Sequence, residues 1–133
     1  MTVNFTSTNE GTWFYFDDKN SEGGGVCLRE LIPNESLKID KLATRKAGRL
    51  GSPDALDAEL RRNLIWDYCI VDWKSIQLDG VDLECNRENK AKIMGTCIDF
   101  VKFVTDCLDT LVSNNKALEG ARLKNLEPIS SGN

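Results

Sequence analysis

Three side chains in the stretch Trp66-Asp67-Tyr68-Cys69-Ile70-Val71-Asp72-Trp73 could do chemistry: the carboxylates of Asp67 and Asp72, and the thiol of Cys69 between them. A carboxylate pair works as general acid and base when both groups flank one bond. A thiol works as a nucleophile when a neighbouring base activates it. The sequence defeats both readings. From Ala55 to Trp73 the chain contains neither Gly nor Pro, and one long helix is expected there, with Ser52 as N-cap and Pro53 as its first residue. At about 100° per residue, Asp67 and Asp72 then point about 140° apart. The chain has no histidine, so Cys69 lacks the usual activating partner and a Ser-His-Asp triad is impossible. A non-enzymatic protein without catalytic residues is expected.

The remaining candidates for chemistry are equally plain. The five cysteines, Cys27, Cys69, Cys85, Cys97 and Cys107, are odd in number and form no C-x-x-C pair. Together with the missing histidine, this predicts reduced thiols packed as small hydrophobes, and no metal or other cofactor. Gly23-Gly24-Gly25 runs into VCLREL without the lysine that a phosphate-binding loop needs, so it is a turn. A net charge of -4 excludes a nucleic-acid partner, because no basic run could neutralise a series of phosphates. No apolar run approaches the roughly 20 residues that span a bilayer. A cytoplasmic protein with no membrane partner is expected.

The 133 residues suffice for one domain with its own core. A flexible N-terminus over residues 1–11, a single α+β domain over 12–123 and a disordered tail over 124–133 are expected. The aromatic run Thr12 to Phe16 and the segment Val26 to Leu31 flank a turn-forming stretch, DDKNSEGGG, and predict a β-hairpin. A helix follows Pro33, with Leu37 and Leu42 as its apolar positions and Arg45, Lys46 and Arg49 near its C-terminal end. Asp79-Gly80 is a turn signal for a small second hairpin. Asn86 is expected to cap a helix over about 87–94 that Gly95 ends or kinks. Thr96 is expected to cap a last helix with an apolar stripe of Ile98, Val101, Val104, Leu108, Leu111 and Val112. The fold class is therefore α+β, mainly helical, with an N-terminal β-hairpin packed on about four helices.

Helical geometry also gives the dense stretch two apolar sides. Trp66, Cys69, Ile70 and Trp73 fall on one face, and Leu60, Leu64, Tyr68 and Val71 on nearly the opposite one. A helix apolar on two sides is buried or bridges two bodies. It is either sandwiched between the hairpin and the Thr96 helix, or it offers one face to another chain. Trp66, Ile70 and Trp73 are the candidate anchors for a partner, with Trp13 as a fourth.

The order of several segments resembles the tail assembly chaperones of long-tailed bacteriophages and prophages. The segments are TWFYFDD and VCLRELIP, then LATRKAGR, then IVDWKSI with the turn of DGVDLEC, then RENKAKIM, and last DFVKFV. The resemblance covers about residues 12–108. It departs at Ser75, where the family commonly has Gly. It implies a small, self-associating protein of the host-cell cytoplasm that binds the tape-measure protein during tail assembly and is absent from the finished virion. The alternatives are a structural tail or head-completion subunit retained in the particle, and an interaction module unrelated to phage.

Overall fold

The computed structural model describes residues 2–5, 9–45, 51 and 53–126, with residues 115–126 described by backbone alone. Among the described residues four helices and a three-stranded antiparallel sheet form an α+β fold. In chain order the elements are β1 (Thr12–Tyr15), β2 (Gly25–Leu28), α1 (Pro33–Ala43), β3 (Thr44–Arg45), β4 (Ala55–Leu56), α2 (Ala58–Cys69), β5 (Ile70–Lys74), β6 (Gln77–Leu78), β7 (Val81–Asp82), α3 (Arg87–Thr96) and α4 (Ile98–Leu126).

The expected N-terminal hairpin is β1 with β2, paired from Thr12↔Leu28 to Tyr15↔Gly25. Its turn is closed locally: Asp17 accepts from the Lys19 N–H through its side chain, and Asn20 from the Glu22 N–H. Gly25 is needed for close approach, because a Cβ there would stand 2.7 Å from Tyr15 Cδ1 and 2.8 Å from the Phe14 carbonyl oxygen. The Asp79-Gly80 hairpin is also present. Both turn residues have positive φ, 52° and 80°, as the tight turn joining β6 to β7 requires. Asn86 caps α3 by accepting from the Asn89 N–H at 2.8 Å.

The largest departure falls on the dense stretch. The single helix expected through Trp73 is a helix from Ala58 followed directly by strand β5. Ser52 lies outside the described residues. The N-cap is Asp57, whose carboxylate accepts from the Leu60 N–H at 3.1 Å. That bond is the main reason its pKa is lowered. Residues 55 and 56, expected in the helix, pair with β3 instead. At the other end Ile70-Val71 starts a run with strong strand preference. It meets the second edge of β2, which the hairpin alone would leave unpaired. Pairing there gives the sheet order β1-β2-β5.

In α1 the buried positions are Ile39 and Ala43, whereas Leu37 and Leu42 face solvent. Arg45 belongs to β3 and pairs with Asp57 at 2.9 Å; Lys46 and Arg49 lie outside the described residues. Gly95 does not end α3, and Thr96 closes that helix rather than capping the next. Its hydroxyl donates to the Lys92 carbonyl at 2.7 Å. In α4 the buried positions are Phe100 and Val104, with Val101, Phe103, Cys107 and Leu108 partly covered, and Ile98 is exposed. The backbone of 124–126 continues α4, and 127–133 lie outside the described residues.

Two apolar clusters hold these elements together. The larger joins Val26, Leu28, Ile70 and Trp73 of the sheet to Ile76, to Ile93 and Met94 of α3, and to Phe100 and Val104 of α4. The smaller joins Ile39 and Ala43 of α1 to Leu64 of α2. Helix α2 is thus packed on two sides, as its composition predicts, but its neighbours are α1 and α3 rather than the hairpin and α4.

Candidate functional site

The chemistry-bearing residues of the dense stretch are separated by the junction between α2 and β5. Asp67 lies on α2 and serves α3: Lys90, only 7% exposed, donates to both its carboxylate and its main-chain carbonyl at 3.1 Å. Arg87 donates to the same carboxylate at 3.3 Å. Asp72 lies on β5, exposed, and accepts from the N–H of Trp73 at 2.8 Å. Cys69 is buried, and burial pushes its thiol up to about 11, against a smaller opposing pull from Arg29. Burial likewise raises Cys85 and Cys107 to about 11, and raises Cys27. At neutral pH these thiols are protonated, which leaves little of the nucleophilic thiolate. Among the described residues no three Cys, Asp or Glu side chains are grouped so as to hold a metal ion, and no helix is long and apolar enough to cross a membrane.

The four candidate anchors do not form one cluster. Ile70 is fully buried and Trp73 is 6% exposed. In a regular strand, residues three apart point to opposite faces. Here Leu28 pairs with Ile70 and Cys27 with Asp72, so Val71 is an extra residue, a β-bulge. The bulge resets the alternation and turns both Ile70 and Trp73 to the core. The Trp73 ring meets Phe100 edge-on at 6.0 Å, and its indole N–H donates to the Leu83 carbonyl at 2.8 Å. These two residues are therefore core, and they offer a partner no surface in this fold. Trp66 is half-covered by the same core, with the Arg62 guanidinium 4.8 Å from its ring centroid. Trp13 is apart from all three. It pairs with Cys27, on the sheet face opposite Val26 and Trp73, and is 37% exposed. It stacks on Tyr15 at 6.1 Å, and the Lys74 ammonium lies over both rings at 5.5 and 4.9 Å.

Open apolar surface also lies elsewhere. A groove of about 460 Å³ runs between the β5–β6 connection, the end of α3 and the start of α4. Its apolar lining is Phe16, Ile76, Ile93, Cys97, Phe100 and Phe103, with Ser75, Gln77 and Asp99 as polar lining. Phe16 is 48% exposed and packs on Phe103 with ring centroids 4.4 Å apart. Ser75 is held at φ 57°, in the left-handed region that favours glycine. Ile98, one residue before Asp99, is 77% exposed. Phe16 and Phe103 were legible as the end of an aromatic run and as a member of DFVKFV, but nothing in their spacing brings them together. No protein-family model matches the chain, and no curated protein or solved structure matches it.

Proposed function

We propose that this protein is a phage tail assembly chaperone that binds and shields the tape-measure protein in the host cytoplasm. The observation that carries the reading is the open groove beside Phe16 and Phe103. Its floor, Ile76, Ile93 and Phe100, belongs to the core, whereas its mouth presents exposed phenylalanine. Such a groove accepts the apolar stripe of an amphipathic helix, the form in which a long helical partner exposes its aggregation-prone surface. Raised thiol pKa values and the separation of Asp67 from Asp72 by the α2–β5 junction favour a binding role over a reaction. The resemblance in segment order from TWFYFDD to DFVKFV supplies the identity of the partner. Polymerising tail protein would displace the chaperone by competing for the same stripe.

Co-expression tests the proposal. A tape-measure protein should stay soluble beside the wild-type chain and precipitate beside Phe16→Asp, whose far-UV circular dichroism should match the parent. Partner solubility that does not depend on the chain would sink the chaperone reading.

A further inference from the structure

A second surface, independent of the groove and of the function proposed for it, is the outer edge of β1. The Phe16 N–H donates to the Gly24 carbonyl. In an antiparallel ladder alternate residues share that role, so Phe14 and Thr12 direct their main-chain groups at β2. Trp13 and Tyr15 direct theirs outward. No strand pairs with that side of β1 among the described residues. Natural edges are blunted with lysine, proline or a bulge. The sequence of β1 is TWFY and its register with β2 is unbroken, so the strand itself carries none of these; only its four-residue length and the Lys74 ammonium over the Trp13 and Tyr15 rings limit the edge. The opposite edge of the sheet is managed: β5 holds the Val71 bulge, and the Trp73 side chain bonds to Leu83 beside it.

We infer that β1 pairs antiparallel with β1 of a second copy about a twofold axis at Phe14. In that register the outward groups of Trp13 face those of Tyr15 in the other copy, and four main-chain hydrogen bonds form. The same register sets each Trp13 ring opposite a Tyr15 ring on the outer face, a favourable cross-strand pair. Thr12–Tyr15 carries no charge of its own and Glu10 and Asp17 fall beyond the paired residues, while the Lys74 ammonium of each copy stays over its own Trp13 and Tyr15 rings on the outer face. The helical layer permits it. Helix α4 packs against β2, and the two β2 strands would be three strand spacings, roughly 14 Å, apart. Helices about 10–12 Å across fit side by side at that distance. The product is a continuous six-stranded sheet with two helices on its inner face.

Sedimentation or light scattering of the full chain at about 100 μM tests the inference, since so short a pairing is expected to bind in the micromolar range. Wild type should have twice the chain mass. Trp13→Pro removes only an outward donor, which an edge position tolerates, and should run as a monomer with unchanged circular dichroism. Trp13→Glu should do the same by removing the Trp13–Tyr15 ring pair on either side of the axis, and it decides the matter if the proline variant misfolds. A monomeric wild type, or a folded Trp13→Glu that is still a dimer, overturns the inference.

Discussion

Replacing Trp73 by alanine should cost the isolated chain about 3–5 kcal/mol, the usual range for a large aromatic removed from a core. The structure places the change toward the upper end. The side chain is 6% exposed, it meets Phe100 edge-on, and its indole is hydrogen-bonded to Leu83. Truncation leaves a cavity among Val26, Ile76, Ile93 and Phe100, and it strands the Leu83 carbonyl, which alone is worth about 1 kcal/mol. A single domain is stable by about 5–15 kcal/mol, so the variant loses a third or more of its margin. Urea titration followed by circular dichroism measures the loss as a lower midpoint at unchanged slope. Trp73→Phe separates the terms, because it restores most of the packing without the donor. Trp13→Ala is the control: that ring is 37% exposed, and its loss should cost about 1 kcal/mol or less. If Trp73→Ala shifted the midpoint no more than Trp13→Ala while weakening the capture of a partner, the burial argument would be refuted and Trp73 would be an interface residue.

Four further outcomes follow from particular contacts. Deleting Val71 should leave a cooperatively folding protein within about 2 kcal/mol of the parent, because the shortened β5 still turns Ile70 and Trp73 to the core as alternate residues; loss of cooperative melting would count against the bulge. Asp67→Ala strands the Lys90 ammonium and should cost about 2 kcal/mol, below the range for a fully buried pair because Asp67 is partly exposed and its carbonyl still accepts. Lys90→Met should cost less, since Asp67 keeps Arg87, and the reverse order in a melting experiment would refute the reading. Ser75→Gly should raise stability by about 0.5–1 kcal/mol by relieving a left-handed serine, seen as a higher melting temperature. Thiols raised to about 11 in the fold but ionising near 9.0 when exposed stabilise the protein fully below pH 9. That contribution is lost as pH rises toward 11, because the unfolded chain ionises first; a stability that stayed level across that window would show the cysteines to be less buried.

Three local signals in this chain were read correctly, whereas the helix start expected at Pro53 and the cap expected at Thr96 were not. The Asp79-Gly80 turn, the Asn86 cap and the Asp17–Gly24 connection depend on side chains within a few residues of the backbone they organise, so the sequence alone determined them. The apolar two-sidedness of Leu64, Tyr68 and Trp66 was also legible, since composition and helical period set it. The end of α2 was not legible. Residues 70–73 are compatible with helix when no partner is considered, and only the open edge of β2, more than forty residues earlier in the chain, makes them a strand. That long-range pairing, and the single extra residue at Val71, decided that Ile70 and Trp73 are core while Trp13 is surface. Phe16 and Phe103 likewise meet only because α4 lies across the sheet. The sequence determined which segments carry apolar surface, and the tertiary structure decided which of it is buried, because burial depends on neighbours that no local pattern specifies.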